Sequence, residues 1–295
     1  MKKTAFIAIV GRPNVGKSTL LNAILGEKVA IVSKKPQTTR NRITGIYTVD
    51  ENQFIFLDTP GIHKPRTKLG DFMVKTTAQT LGGVDSAILV TEAREEVGDI
   101  EAQIISRFKS EGIRAILVIN KIDTVRKENI IKTIAAYANA FDFEAVIPIA
   151  AKSGKGVETV LSECEKFLTE SEWFFPEDIA TDQPEKQVAA EIIREKLLRC
   201  LDEEIPHGTA VTIEEWKEKK DTVSIRAEIY CEKASHKGII IGKGAANIKR
   251  IGTYAREDLE KMLDARVYLD LYVRVKENWR DSDFNISNFG YKEEE

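Results

Sequence analysis

One octapeptide constrains this chain more than any other feature. Gly11-Arg-Pro-Asn-Val-Gly-Lys-Ser18 stands directly behind the apolar run FIAIV at 6–10. The glycine spacing with a trailing Lys-Ser lets backbone N–H groups turn inward around phosphate oxygens. A helix has to follow, because its unpaired N–H groups and dipole complete the anion site. The pattern therefore demands strand, loop and helix in that order. In that setting Gly11, Asn14, Val15, Gly16, Lys17, Ser18 and Thr19 line a nucleotide. Lys17 bridges its β- and γ-phosphates, and the Ser18 hydroxyl goes to Mg²⁺.

The first 170 residues continue in the same style. Apolar runs at 54–58, 86–93, 114–120 and 145–150 suit strands buried on both faces of a mostly parallel sheet. Amphipathic stretches near 18–25, 68–82, 99–111, 127–140 and 156–169 alternate with them. That is an α/β pattern of repeated crossovers. One segment breaks it: RITGIYTVDENQFIFLD reads as two strands joined by a polar turn at 50–52, an antiparallel hairpin.

Two further motifs name the base and sense the phosphate. Asn120-Lys-Ile-Asp123 closes a buried strand, where α/β sheets place ligand residues. The Asp123 carboxylate accepts from guanine N1–H and its 2-amino group. Adenine offers neither donor, so such a site rejects it by up to ~10⁴–10⁵-fold. Asn120 braces the loop, and the Lys121 stem lies along the ring. Asp58-Thr-Pro-Gly61 ends the third run: Asp58 reaches Mg²⁺ through water, and the Gly61 N–H meets the γ-phosphate. Between these motifs, Pro36-Gln-Thr-Thr-Arg40 supplies a threonine for Mg²⁺, Thr39 in preference to Thr38. This motif set argues against a kinase or ATPase.

At 171–184 the texture changes to SEWFFPEDIATDQP, read as a linker between a domain at 1–170 and another at 185–295. Trp173, Phe174 and Phe175 anchor it. The second domain reads αββααβ, with Trp279 packing its tail and a frayed KEEE end. From Lys233 to Arg256 the chain carries six basic residues and no acid. Because the formal net charge is −3, this is a local positive patch rather than a general property. At its centre Gly242-Lys243-Gly244-Ala245 joins two helices. Lys237, Gly242, Lys243, Gly244, Ala245, Lys249 and Arg250 are the candidate RNA contacts.

Composition excludes other classes. No run approaches the ~18 apolar residues of a membrane helix, and the apolar N-terminus reads as a strand, not a signal peptide. Cys164, Cys200 and Cys231 are too scattered for zinc or disulfides, which points to a cytoplasmic chain. His63, His207 and His236 have no ligand-spaced partner and read as non-catalytic.

GRPNVGKST, QTTR, DTPGIHKP, KLGDFMVKTT and NKID together resemble the Era family of translation-factor-related GTPases, over essentially the whole length. The resemblance implies an α/β P-loop GTPase domain followed by a smaller α+β type II KH domain. It implies a slow GTPase using GTP/GDP and Mg²⁺, with Lys17, Thr39, Gly61 and Asn14 at the reaction centre. Its RNA would be the 3′ end of small-subunit ribosomal RNA, its task assembly of the 30S subunit, as a monomer with peripheral attachment to the inner membrane. Relatives with Asn at position 14 use K⁺; the alternative is that Asn14 only braces the loop. The family's Ser-Ala at the last base-contacting loop is Ala150-Ala151-Lys152 here, with the Ala151 N–H left to meet the base. Its second KH-loop glycine is Ala245. Ile62 replaces the water-orienting Gln of Ras, and Arg40 is the nearest arginine finger candidate. A passive RNA-binding module that barely hydrolyses GTP is therefore the competing reading.

Overall fold

The computed structural model describes residues 1–62, 64–202 and 204–292. His63 and the last three glutamates lie outside them. Contacts divide the chain into Met1–Pro65 with Gly70–Asp182, and Arg66–Leu69 with Gln183–Glu295.

The first unit contains β1 (Lys3–Val10), α1 (Lys17–Leu25), β2 (Ile43–Val49), β3 (Asn52–Asp58), α2 (Lys68–Gly82) from Gly70 onward, β4 (Ser86–Glu92), α3 (Asp99–Glu111), β5 (Arg114–Asn120), α4 (Lys127–Ala138), β6 (Ala145–Pro148), α5 (Val157–Cys164) and β7 (Thr169–Glu170). The main sheet runs β2-β3-β1-β4-β5-β6, with only the β2–β3 hairpin antiparallel along that path. The order reverses beside β1, so the loop after β1 opens at the switch point where α/β sheets bind ligands. One face of the sheet packs Ile7, Ile9 and Phe56 against Leu20, Leu21 and Val160. The other packs Leu89 and Leu117 against Ile104, Ile105 and Phe108.

The helix expected over 156–169 ends early. After Cys164 the chain tightens into a 3₁₀ turn, and Thr169–Glu170 pairs antiparallel with Lys3–Thr4. The cause is open backbone: β4 covers only Ile7–Val10 on that side of β1. The stretch read as a linker is packed along the first unit up to Asp182. Gln53 accepts from the N–H groups of Phe174 and Phe175 at 3.0 and 3.1 Å. The Phe174 ring meets Phe6 edge-on at 4.9 Å, and the Ala180 carbonyl accepts from Ile46 N–H.

The second unit runs α6 (Glu185–Cys200), β8 (Ala210–Lys219), β9 (Thr222–Cys231), α7 (Ala234–Ile241), α8 (Ala246–Leu263), β10 (Arg266–Val275) and α9 (Asp283–Asn288). Its sheet is β10-β9-β8, parallel between β9 and β10 and antiparallel between β8 and β9. Alternate residues of β9, Val223 to Cys231, are buried beneath the helices. The tail folds back through aromatic contacts. Trp279 is fully buried, donates to the Gly208 carbonyl at 2.9 Å, and sits 5.2 Å from the Phe289 ring. Cys164, Cys200 and Cys231 are free thiols. No helix among the described residues is long and apolar enough to cross a membrane.

Truncating Trp279 removes a large buried ring and a hydrogen bond from one place. Trp279→Ala should destabilise the second unit by about 3–5 kcal/mol, read by urea unfolding followed through far-UV circular dichroism. A loss below about 1 kcal/mol would show that the tail contributes little packing.

Candidate nucleotide site and basic turn

The loop after β1 turns through left-handed backbone at Asn14 and Gly16, then launches α1 at Lys17. At Gly16 a Cβ would lie 2.2 Å from Asn120 Nδ2, so only glycine fits beneath that side chain. Asn120 holds the site together. Its Nδ2 donates to the Val15 carbonyl at 2.9 Å, and its Oδ1 accepts from Lys121 N–H at 2.8 Å and Ala151 N–H at 3.0 Å. The Ala151 N–H, expected to meet the base, is thus engaged in bracing the two base-side loops. Ala150 is buried and Lys152 exposed.

Lys121 adopts a left-handed conformation and sends its ammonium to the Asn14 carbonyl at 2.6 Å and to Glu92 at the end of β4. Asp123 lies exposed in the 3₁₀ turn that follows, where a base edge can reach it.

Lys17 is buried, and its ammonium donates to the carbonyls of Gly11 and Arg12 at 3.2 and 3.0 Å. Burial lowers its pKa to about 8, with the charge of Asp58 opposing. Burial likewise raises Asp58 to about 6 against the pull of Lys17 and the Ser18 and Thr39 hydroxyls. The Ser18 hydroxyl lies 2.8 Å from that of Thr39 and donates to Asp58 Oδ2 at 2.6 Å. Thr39 is buried against this group, whereas the Thr38 hydroxyl turns back to the Lys35 carbonyl at 2.7 Å. The other Asp58 oxygen is buried without a hydrogen-bond partner among the described residues. Two hydroxyls and a carboxylate with an orphaned oxygen form an all-oxygen set that fits Mg²⁺.

One expectation changes: Arg40 is only 1% exposed, part of the packed interior rather than a finger over the phosphates. The Asn14 amide donates to the Lys34 carbonyl at 2.9 Å, the backbone brace named as the alternative to a K⁺ ligand. Arg12, Glu92 and Glu101 escaped notice in the sequence. Glu101 carried a signal, because it occupies an apolar-stripe position with Ile104, Ile105 and Phe108.

In the second unit Gly242, Gly244 and Ala245 all have positive φ. A Cβ at Gly242 would lie 2.9 Å from Asn247 N, whereas Gly244 has open space around it. Ala245 adopts φ 64° despite its methyl group, a conformation costing about 1 kcal/mol more than in glycine. Lys243 and Lys249 are exposed at the start of α8, and Lys237 is half-buried on α7. Arg250 donates to the Cys200 carbonyl at the end of α6 at 2.8 Å, so its guanidinium caps a helix beside the patch.

A family model described as 50S ribosome-binding GTPase matches residues 6–121, and a KH domain model matches 204–280. GTPase Era of Clostridium kluyveri is 50% identical over 99% of this chain and 100% of its own. GTPase Era of Ruminiclostridium cellulolyticum is 47% identical over 98% of each. This chain belongs to the Era family of GTPases. Its two units are accordingly a P-loop GTPase domain and a KH domain, and its reaction is hydrolysis of GTP. A crystal structure of Era in complex with MgGDPNP and nucleotides 1506–1542 of 16S ribosomal RNA superposes with a TM-score of 0.94, at 39% identity over 99% of both chains. Era of Aquifex aeolicus bound to GDP and AlF4⁻ gives the same TM-score over 98% of this chain.

Base choice tests the reading of Asp123. Asp123→Asn should lower GTP affinity by ~10²-fold or more and raise affinity for xanthosine triphosphate, because the amide donates where xanthine presents a carbonyl. Competition binding with both nucleotides measures this. Full GTP affinity with no response to xanthosine triphosphate would remove Asp123 from the base site.

Proposed function

We propose that this chain is a GTP-driven RNA-binding switch whose RNA is the 3′ end of small-subunit ribosomal RNA, and which assists assembly of the 30S subunit. The observation that carries the reading is the Gly242–Ala245 turn. It is held open by three positive-φ residues, faces no carboxylate from its own stretch of sequence, and sits on the same chain as a phosphate site. Lys243 offers a phosphodiester backbone positive charge at a turn that leads into the N-terminus of α8. The Era relative crystallised with 16S nucleotides supports the choice of RNA. The large-subunit description belongs to a family model covering the nucleotide domain alone, without the KH domain.

In the nucleotide domain, Ser18, Thr39 and Asp58 would hold Mg²⁺. The ion would neutralise charge on the phosphates. Lys17 turns from the Gly11 and Arg12 carbonyls toward the β- and γ-phosphates, and Gly61 offers its N–H to the γ-phosphate. Ile62 cannot orient a water, and Arg40 is buried, so turnover is slow. The protein acts as a monomer in the cytoplasm, with peripheral contact to the inner membrane as in its family. Sequencing RNA crosslinked to the protein with a GTP analogue and with GDP tests the whole reading. Recovery of RNA other than small-subunit 3′ sequence in both states would reject it.

Two variants test its parts. Lys243→Ala should weaken RNA binding about equally across sequences and lower the salt slope by about 0.7, one single-strand phosphate contact. Ala245→Gly should leave RNA binding intact while relieving about 1 kcal/mol of backbone strain. Unchanged slope and affinity for Lys243→Ala would exclude the turn.

Asn14 bears on the missing positive charge. Its amide and the Lys34 carbonyl lie 2.9 Å apart, so turning the amide over would present two oxygens to a monovalent cation beside the phosphates. GTP hydrolysis should therefore run faster in K⁺ than in Na⁺ at constant ionic strength, and Asn14→Ala should lose the difference. Equal wild-type rates in the two salts would leave Asn14 as a brace.

A further inference from the structure

Glu101 is the most anomalous residue in the nucleotide domain. It sits in the first turn of α3, wholly buried, on the stripe that otherwise carries Ile104, Ile105 and Phe108. One carboxylate oxygen accepts from Arg12 Nε; the other is buried without a partner among the described residues. A buried carboxylate is costly unless paired. Gly98 makes room for it, since a Cβ there would lie 2.7 Å from Glu101 Oε2. An apolar residue in this place would pack α3 at no such cost.

Arg12 shows what the carboxylate holds. Its carbonyl and that of Gly11 receive the Lys17 ammonium. The Gly11 carbonyl also accepts from Ile62 N–H at 3.3 Å, just after the Asp58-Thr-Pro-Gly61 turn. A Cβ at Gly61 would lie 2.6 Å from Pro13 N, so the turn rests directly on the residue after Arg12. The segment 11–13 is therefore the floor under both the catalytic lysine and the γ-phosphate sensor, and its only charged side chain is tied to α3.

We infer that Glu101 is a positioning residue for GTP hydrolysis, acting through Arg12 to fix the floor on which Lys17 and Gly61 meet the γ-phosphate. The inference rests on GTP hydrolysis by this chain. GDP carries no γ-phosphate, so loosening the floor affects turnover more than diphosphate binding. Displacements of order 1 Å at a reacting centre cost up to ~10²-fold in rate.

The test uses the full chain with Glu101→Gln, Arg12→Gln and the double variant Arg12→Gln/Glu101→Gln. The double variant leaves no uncompensated buried charge, so it remains informative where a single variant folds poorly. Turnover, KM, GDP affinity and the thermal unfolding midpoint are measured for each beside wild type. Wild-type turnover is scored separately, so that absence of the activity and absence of the pair's effect are distinct results. The expected result for the double variant is a fall of about tenfold in kcat, with KM and GDP affinity within about threefold and an unfolding midpoint near that of wild type. A fall in kcat of less than about threefold, whatever happens to KM, would overturn the inference and leave the pair as packing.

Discussion

The nucleotide domain depends on one buried side chain. Asn120 joins the phosphate loop, its own base-recognition loop and the loop before α5 through three hydrogen bonds, and only 3% of it is exposed. Each of those loops leaves the sheet from a different strand, and isolated loops of this kind are the least ordered parts of a fold. A buried amide that donates to one backbone segment and accepts from two others turns them into one rigid rim. The absence of a Cβ at Gly16 follows from this, because Asn120 Nδ2 occupies the space. The apparent departure at Ala150 is mild for the same reason. The loop it belongs to is held by the Ala151 N–H on Asn120, and a serine hydroxyl is not needed to fix it.

Charge sets the second constraint. Lys17 and Asp58 are both buried, and burial pushes each toward its neutral form despite their mutual attraction. The same low-dielectric surroundings strengthen any charge that completes the site. A bound phosphate would give Lys17 a counter-ion, and Mg²⁺ would give one to Asp58, whose second oxygen is buried without a partner among the described residues. The site is thus poised so that ligand and metal relieve a tension the fold maintains without them. Pre-set carbonyls on Gly11 and Arg12 hold the lysine in reach during that exchange.

Most of the architecture was legible because its signals are local. Apolar runs of β1, β3, β4 and β5, the hairpin at Asp50, and the order of helices and strands in the second unit all follow from periodicity and turn residues. Motif spacing likewise points to Ser18, Thr39 and Asp58 as one group, and they do meet. What failed to show was long-range. The 171–182 stretch has linker composition, yet Gln53, distant in sequence, caps its N–H groups and binds it to the sheet. Arg40 looks like a loop arginine, but tertiary packing buries it. Arg250 looks like part of a basic patch, but its guanidinium is directed to a helix end some fifty residues away in the chain. Glu101 leaves a local signal, a polar break in an apolar stripe, that went unread in the sequence; its partner, Arg12, leaves none, because nothing local links the first loop to α3.

On the proposed RNA-binding reading, backbone shape and charge divide the work at the basic turn. Lysine side chains alone bind nucleic acid through screened, non-directional attraction. A turn with fixed N–H directions adds orientation, and the ordering cost is already met in the free protein. Gly242 is required by contact with Asn247, whose side chain also holds the Ile239 carbonyl at the end of α7. Gly244, with nothing near its Cβ position, is free for a ribose or phosphate to approach. At the fourth position of the turn Ala245 keeps the left-handed shape with its methyl in place, at a modest conformational cost. Arg250 then serves the turn indirectly. By donating to the Cys200 carbonyl it ties the first turns of α8, which follow the turn, to the end of α6.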